Sequence, residues 1–388
     1  MADVITGSRS SATYNTETTL ERDVFPALLE LEPNKTPLTV LSGKTRKKIA
    51  ETPKFEWFEV ERLPQQDLLT ATITAAATTM VVTNYKYFRA RDVVLIIETG
   101  EQVLVTATPT TTTVTITRAW GEVSAAATTN ASGKVKIMHN SNEEGADIRS
   151  ILSVQKVPKF NYVGIVREPF SVTGTAKVTK TYGGIDFDHQ AEQALMNQAT
   201  KVELMHLQGQ RYEDTTGTNP ARSSRGAVRW ITTNVLNVGG ALTEPVWDSY
   251  LRRVSRYGSD VKVLLNAPIV TGAISGFAKD KLRISDVMQK KYGMKITEYI
   301  TPYNTTFLLA NHNLMTNDSL QDFDDLAGMS ICVDMAFLEV MHTKGRMAVR
   351  LEKRQGNGID GRTDEYLSEV GLRFSLEKTG GKATGCTD

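Results

Sequence analysis

The sequence predicts an α+β protein with a small all-β module inserted into the first half of the chain. Residues 68–138 include 17 threonines among 71 residues, in short β-branched segments separated by turn residues, which is typical of strands joined by tight connections. Residues 186–214 place apolar side chains at helical spacing and predict one long helix. Residues 244–376 mix helical and strand patterns. A chain of 388 residues suffices for two or three domains, each with its own core.

The N-terminal part of the chain predicts an arm, a helix and a strand. The first 19 residues are polar, lack a hydrophobic signal core and predict a flexible or extended arm. Thr19–Leu31 has a capping residue and an apolar stripe, which predicts a short helix broken near Pro26. Lys54–Arg62 predicts a strand in which Phe55 and Trp57 share one face. Each face of this strand carries both apolar and charged side chains, which indicates a ribbon that lies on a neighbour rather than on its own core.

The inserted module contains four segments that predict short strands, and it ends at Val135–Met138. The four segments are Thr79–Thr83, Val93–Glu98, Gln102–Ala107 and Thr113–Arg118. The sequence on either side reads as the two legs of one extended arm, so the module decorates the tip of a long loop. Two strands follow, Phe160–Arg167 and Pro169–Val178, and Gly174 in the second indicates a bulge or a close backbone approach.

Asp186–Asp214 is the clearest helical pattern in the chain. Its stripe consists of Phe187, Ala191, Leu195, Ala199, Val202, Met205 and Gly209. Acidic residues at its start favour the helix dipole. At about 1.5 Å per residue such a helix is roughly 40 Å long. A helix of that length requires a broad surface to lie across, which is most simply a sheet.

The segment after the long helix predicts helices and buried strands. The expected helices are Glu244–Tyr257 and Pro268–Lys279, the first with Pro245 in its first turn. The expected strands are Val261–Asn266, Lys295–Ile300, Thr306–Ala310, Met329–Val333, Leu338–His342, Arg346–Lys353 and Tyr366–Leu376. The last residues, Gly380–Asp388, predict a loose tail.

Composition argues against several classes of protein. The 45 Lys and Arg residues balance 44 Asp and Glu residues, whereas a protein that tracks phosphates with its whole surface is usually more basic. No apolar run approaches the length that spans a bilayer, so we expect no membrane partner. Cys332 and Cys386 cannot form a disulfide framework and lack metal-ligand spacing.

No motif predicts a catalytic, cofactor or metal site. Gly356–Gly361 matches GxGxxG, but Tyr366–Leu376 alternates like a strand where a dinucleotide site requires a helix, so we expect a hairpin loop. The five histidines are scattered without metal-ligand spacing. Cys332 lies inside a predicted buried strand and is expected to act as a small apolar residue.

Charged clusters are the main candidates for contacts between subunits. The acidic run at 318–325 departs from the EF-hand pattern and is expected to be a solvated loop or an interface ion-pair partner. The basic clusters Lys44–Lys48 and Arg222–Arg229 lack the interleaved aromatic residues of a nucleic-acid platform and favour charge complementarity with an identical neighbour. The contact candidates are Lys44, Arg46, Lys47, Lys48, Trp57, Arg62, Asp322, Asp324 and Asp325. Cys386 is expected to be an exposed free thiol, with an inter-subunit disulfide as the alternative.

The order of these parts carries a resemblance to a known family. The matching residues are Asn161–Val166 (NYVGIV), Val172–Ala176 (VTGTA), the helix from Asp186 with Gln190, Ala194 and Glu203, and, in the module, Arg91–Val94 and Gly100–Val105. Over residues 20–376 the chain resembles the HK97-type capsid fold, and more narrowly the major head proteins of the SU10 family of tailed bacteriophages. In that family an N-Y-x-Q-I segment precedes a V-x-G-T strand, and here Gly164 stands in place of the glutamine.

The resemblance implies a division of the chain. Residues 1–40 would be an N-terminal arm, 41–67 and 139–165 an extended loop, 68–138 the inserted module, 166–225 and 335–378 a peripheral domain with the long helix as its spine, 226–334 an axial domain, and 379–388 a C-terminal tail.

The resemblance also implies a structural role without catalysis or a cofactor. Copies of the chain would form hexamers and pentamers of an icosahedral phage head around double-stranded DNA, which they would contact without sequence specificity. The extended loop of one subunit would lie over the peripheral domain of the next. The implied partners are the chain itself, packaged DNA, a portal, and scaffolding or decoration proteins. The implied location is the virion, after assembly in the cytoplasm of a bacterial host.

Three alternatives remain open. An encapsulin-like cellular shell protein shares the fold class, although the loop-tip module favours a phage. An α/β enzyme with a β insertion explains the late alternating segment but requires a convergent acid–base set, which the sequence does not present. A tail or baseplate protein explains the threonine-rich module, but the long helix and the helices at 244–279 argue against it.

Overall fold

The computed structural model describes residues 38, 47–179, 186–277, 297–317 and 322–387. The chain forms two compact units, one of Met1–Trp57 with Phe160–Asp388 and one of Phe58–Lys159. The helix predicted at Thr19–Leu31 lies outside the described residues.

Twenty-one strands are present in the described residues. They are β1 (Lys47–Ile49), β2 (Lys54–Glu59), β3 (Gln66–Leu68), β4 (Thr79–Val81), β5 (Asp92–Ile96), β6 (Gln102–Val105), β7 (Thr113–Thr117), β8 (Lys134–Asn140), β9 (Val157–Tyr162), β10 (Gly164–Thr173), β11 (Tyr212–Asp214), β12 (Ala221–Ser223), β13 (Val235–Ala241), β14 (Val261–Asn266), β15 (Thr297–Ile300), β16 (Thr306–Asn311), β17 (Ser330–Val333), β18 (Leu338–His342), β19 (Val349–Leu351), β20 (Gly361–Phe374) and β21 (Gly381–Thr387).

The α-helices of the described residues are fewer. They are α1 (Gly174–Val178), α2 (Asp186–Gln208), α3 (Ala227–Trp230), α4 (Glu244–Val254) and α5 (Pro268–Phe277). Short 3-10 turns occur at Tyr85–Tyr87, Asp324–Leu326 and Glu377–Thr379.

The unit Phe58–Lys159 contains one six-stranded sheet in the order β3-β8-β5-β6-β7-β4, with every pairing antiparallel. The four predicted strands are confirmed as β4 to β7, and β3 and β8 complete the sheet. Alternate residues of β7 are buried, so Val114 and Ile116 join the core while the threonines between them face outward.

A buried ion pair stabilises this sheet: Nε of Arg118 donates to Oε1 of Glu101 at 2.8 Å. Burial raises the pKa of Glu101, but hydrogen bonds from Arg118 and two backbone N–H groups lower it overall.

The second unit contains a five-stranded sheet in the order β1-β18-β20-β10, with β19 also paired to β20. Helix α2 packs on this sheet, as its length predicted: Phe187, Ala191 and Ala194 of the helix cluster with Phe170 and Val172 of β10. The 23 residues of α2 span about 35 Å.

Two boundaries near this helix differ from the prediction. Helix α2 ends at Gln208 rather than at residue 214, because the chain turns at Gly209 and forms β11. Gly174–Val178 is a short helix rather than part of a strand. The predicted close approach at Gly174 is confirmed, since a Cβ there would come within 2.6 Å of the Asp360 carboxyl carbon.

A six-stranded mixed sheet, ordered β13-β21-β17-β14-β16-β15, is the second large sheet of this unit. The central strand β14 runs parallel to β16 and antiparallel to β17. It is buried at five consecutive positions, so its side chains pack on both faces. Trp247, Leu251 and Val254 of α4, at helical spacing, are fully buried in the adjoining core.

The C-terminal residues form a core strand, so the predicted loose tail is wrong. Strand β21 lies between β13 and β17 and pairs with both. Lys262 of β14 holds the segment before it: its buried Nζ donates to the carbonyl oxygens of Thr379 at 2.6 Å and Val254 at 2.7 Å. The tail pattern misled because small residues such as Ala383 are typical of loops, yet they also suit a sheet in which neighbouring side chains crowd both faces.

Candidate inter-subunit surfaces

The predicted basic cluster contains two described residues, Lys47 and Lys48, whereas Lys44 and Arg46 lie outside the described residues. Both lysines lie on β1, which runs parallel to β18. Nζ of Lys48 is 3.5 Å from a carboxylate oxygen of Glu339, whose other oxygen accepts from Arg373 at 2.7 Å. Lys48 therefore already has a partner within its own chain, while half of its side chain remains exposed.

Trp57, predicted as an inter-subunit contact, is a core residue instead. It is 5% exposed and its ring centroid lies 5.3 Å from that of Trp230. The guanidinium of Arg373 lies 5.8 Å from the Trp57 ring centroid. The predicted pairing of Phe55 and Trp57 on one face of a strand is confirmed, but that face packs on the core of the same unit.

The long segment between the module and β9 carries exposed apolar side chains. Ile148 is 94% exposed and Ile151 is 89% exposed, in a stretch without helix or strand. Two large aliphatic side chains this exposed, three residues apart in one segment, form a candidate contact surface for a partner. Arg62, in the segment that precedes the six-stranded sheet of the module, is also exposed.

In the acidic run, Asp322 is bonded within the chain, whereas Asp324 and Asp325 are exposed. Asp318 lies outside the described residues. Oδ2 of Asp322 accepts a hydrogen bond from Oγ1 of Thr316 at 2.6 Å. Asp324 and Asp325 form an exposed 3-10 turn. These two remain candidates for contact with a neighbour.

Cys386 is buried in β21 at 4% exposure, so the expected exposed thiol is wrong. Burial raises the pKa of Cys386 to about 11 and the pKa of Cys332 to about 12. A disulfide between subunits at Cys386 would require β21 to leave its sheet.

The residues of the second basic cluster, Arg222–Arg229, have two different surroundings. Arg222 pairs with Glu213, with Nε 2.7 Å from Oε1. Arg225 and Arg229 instead line a hollow of about 230 Å³ together with Gln210 and Arg211. The sequence did not single out Arg211, because it lies 14 residues from Arg225 along the chain and the fold alone brings the two together.

An apolar hollow lies between α2 and the five-stranded sheet and has a volume of about 110 Å³. Its lining consists of Leu195, Gln198, Ala199, Val202, His206, Val340, Met347, Ala348, Ser368 and Val370. Leu195, which was predicted to be buried with the helix stripe, is 46% exposed at this site. His206 is 2% exposed, and neither of its ring nitrogens has a hydrogen-bond partner among the described residues. Burial lowers the pKa of His206 to about 4, although Glu203 opposes the shift.

The glycine-rich segment Gly356–Gly361 connects β19 to its antiparallel partner β20, so the predicted hairpin loop is confirmed. Within the described residues, no group of three or more His, Cys, Asp or Glu side chains is placed to hold a metal ion. No helix in the described part of the chain is both long and apolar enough to cross a membrane.

Similarity to solved structures extends over nearly the whole chain. The capsid of the native GTA particle matches with a TM-score of 0.50 at 8% identity, covering 98% of this chain and 100% of that chain. A structure of Gordonia phage Cozz matches with a TM-score of 0.50 at 10% identity, covering 100% of this chain and 99% of that chain. The holo-SrpI encapsulin complex from Synechococcus elongatus PCC 7942 has a TM-score of 0.40 at 9% identity, over 60% of this chain and 78% of that chain.

At these identities the structural similarity shows the fold, which is the HK97-type capsid fold predicted above. No curated protein matches the sequence closely enough to indicate homology. The model of the SU10 major capsid protein family matches residues 6–387. Because this match covers nearly the whole chain, the chain belongs to the SU10 major capsid protein family, whose members form the capsid of a virion from many copies of themselves.

Proposed function

We propose that this major capsid protein forms hexamers and pentamers that close into an icosahedral head around double-stranded DNA. The observation that carries the proposal is the extreme exposure of Ile148 and Ile151 in a loop without regular structure. A loop that leaves two isoleucines in water is stabilised when a neighbouring copy covers them. Such a contact joins different surfaces on the two copies, so it closes rings around a symmetry axis.

The division into capsid domains follows the sheets. We assign the five-stranded sheet with α2 to the peripheral domain and the six-stranded sheet to the axial domain. The legs around residues 58–65 and 141–156, with the module between them, are the extended loop. The assignment departs from the expected boundaries at the C-terminus, because β21 belongs to the six-stranded sheet.

The neighbour's receiving surface is the peripheral domain. The apolar hollow between α2 and β20, rimmed by the half-exposed Leu195, offers a surface of the same chemistry as the isoleucines. The remaining proposed partners are packaged DNA, held through weak and sequence-independent contacts, a portal, and scaffolding or decoration proteins. Assembly would take place in the cytoplasm of a bacterial host, and the role is structural without catalysis.

The first test is size-exclusion chromatography with light scattering and negative-stain microscopy of the expressed chain. Closed shells, tubes or capsomer-sized rings support the proposal. A chain that remains monomeric even with co-expressed neighbouring gene products contradicts it. Genome-length DNA protected from nuclease inside the particles distinguishes a phage head from a cellular compartment.

The second test changes the loop. The double variant I148D/I151D should fold normally but lose most particle formation, because charged side chains cannot enter an apolar contact without a large desolvation cost. The control I359D makes the same chemical change at another exposed isoleucine, which is 64% exposed in the β19–β20 hairpin loop. Equal assembly of I148D/I151D and wild type would refute the loop contact.

A further inference from the structure

Three guanidinium groups, those of Arg211, Arg225 and Arg229, line one hollow of about 230 Å³. Among the described residues, none of the three forms an ion pair with a carboxylate, whereas the nearby Arg222 pairs with Glu213. Like charges that converge repel each other, so this arrangement is unfavourable in the isolated chain, although the negative charge of Glu377 acts in the opposite sense on Arg225. We call Arg211, Arg225, Arg229 and Gln210 the arginine hollow.

Two of the arginines are held in place. The guanidinium of Arg211 lies 3.9 Å from the Phe160 ring centroid, and its Nη1 donates to the Phe160 carbonyl oxygen at 3.0 Å. The guanidinium of Arg225 lies 4.5 Å from the Trp230 ring centroid. Aromatic stacking fixes a guanidinium while leaving part of its edge available for hydrogen bonds. Their positions are therefore set before any ligand arrives.

A close backbone contact also holds the segment after α2 against the start of α3. The N–H of Gly226 donates to the carbonyl oxygen of Gly209 at 2.8 Å, and a Cβ at Gly226 would lie 2.5 Å from the backbone oxygen of Leu207. This close approach brings the end of α2, with Arg211 beyond it, against the start of α3. Burial, together with the charges of Arg211 and Arg229, lowers the pKa of Arg225, which is the effect expected when cations converge.

The surroundings favour a small anion over a polyanion. Glu213 lies two residues from Arg211, and Glu377 caps the backbone N–H groups of Thr232 and Thr233 just beyond α3. A nucleic-acid backbone that entered the hollow would bring further phosphates towards these carboxylates. A single side-chain carboxylate would bring no further negative charge towards these two glutamates.

We propose that the arginine hollow binds a side-chain carboxylate of a second copy of this chain. The inference rests on the proposed function, because capsid assembly brings the second copy. A carboxylate accepts two parallel hydrogen bonds from a guanidinium, and its negative charge would offset part of the repulsion among the three guanidiniums. The contact therefore forms only on assembly and contributes to the cooperativity of shell closure.

The test compares variants of the full chain in the same assembly assay. Arg229 is exposed and its side chain supports no other described contact, so R229E should fold with an unchanged thermal midpoint. We expect R229E to reduce particle yield by about tenfold or more, whereas R229K, which keeps the charge, should lose less. The control R252E makes the same charge change at an exposed arginine of α4 and should assemble like wild type.

A density map of the assembled particle supplies the second readout. A carboxylate of a neighbouring copy within hydrogen-bond distance of the hollow supports the proposal, and wild-type yield from R229E overturns it. Normal R229E particles that retain less DNA than wild type would assign the hollow to phosphate and overturn it equally. Failure of the wild-type chain to assemble even with co-expressed neighbouring gene products refutes the proposed function itself and this inference with it, whereas failure of R229E alone does not.

Discussion

Oε1 of Glu203, on helix α2, lies 3.1 Å from Nε2 of His312, and both side chains are fully buried. The same oxygen accepts a hydrogen bond from the backbone N–H of Leu38 at 2.8 Å. One carboxylate therefore joins the spine helix, the end of β16 and a residue of the N-terminal segment. These three parts of the chain are more than 100 residues apart in sequence.

Replacing Glu203 should destabilise this junction. In E203L the Leu38 N–H and His312 Nε2 lose their partner without regaining water, which costs about 1–3 kcal/mol for each unsatisfied group. The free energy of unfolding, measured by urea denaturation, should fall by about 2–5 kcal/mol. The control E192L removes an exposed glutamate from the same helix and should change stability by less than about 0.5 kcal/mol. Equal midpoints for the two variants would show that the junction contributes little.

G226A should destabilise the unit that contains α2. The new methyl group would lie 2.5 Å from a backbone oxygen, and a backbone cannot move aside as cheaply as a side chain. We expect a loss of about 1–3 kcal/mol in thermal unfolding. The control G272A lies in α5, where nothing is within 4 Å of an added Cβ, and should stabilise the helix by about 0.5–1 kcal/mol. A shift of the same sign in both variants would refute the steric explanation.

His206 should make stability fall in mild acid. Burial lowers its folded-state pKa to about 4 from the usual 6.5, so the unfolded chain binds more protons between those values. This residue's contribution to stability is therefore lost as the pH falls from about 6.5 towards 4, by on the order of 3 kcal/mol in total.

The variant H206L should be more stable than wild type at pH 5 and should show a flatter stability profile, because it removes a buried polar ring without partners. Urea denaturation at pH 7, 6 and 5 measures both effects. The exposed His139 provides the control H139L, whose profile should follow wild type. An H206L profile parallel to that of wild type would show that another group titrates.

Lys262 should be required for stability although it forms no described ion pair. Its Nζ donates to three backbone carbonyls, those of Val254, Tyr257 and Thr379. K262M fills similar volume but leaves these oxygens without a donor, so we expect a loss of about 2–4 kcal/mol. K344M, at an exposed lysine, is the matched control. A stable K262M would mean that water replaces the ammonium group.

Neither cysteine should react in the folded protein. Both thiols are buried, and burial raises their pKa to about 12 for Cys332 and about 11 for Cys386, so little thiolate exists near neutral pH. A thiol-specific chromophoric reagent should label the native chain at least about 100-fold more slowly than the urea-unfolded chain. Rapid labelling of one thiol, located with the variant C386S, would show that β21 opens.

Periodicity predicted most of the secondary structure. Strand β7 alternates threonine with valine and isoleucine, and α4 repeats large apolar residues at helical spacing, so each pattern defines one buried face. Boundaries were less predictable. Helix α2 ends at Gln208 although its apolar stripe continues to Gly209, because the carbonyl oxygen of Gly209 accepts a tertiary hydrogen bond from the N–H of Gly226.

The order of the elements, the inserted module and the lack of a familiar catalytic motif follow from local sequence patterns, since these depend on neighbouring residues. Which side chains are buried, and which of them meet, emerged with the three-dimensional fold. The fold places Cys386 inside a sheet, leaves His206 without a hydrogen-bond partner among the described residues and gathers Arg211 with Arg225 and Arg229. The physical reason is that burial and charge convergence depend on contacts between residues far apart in the chain, which local patterns do not record.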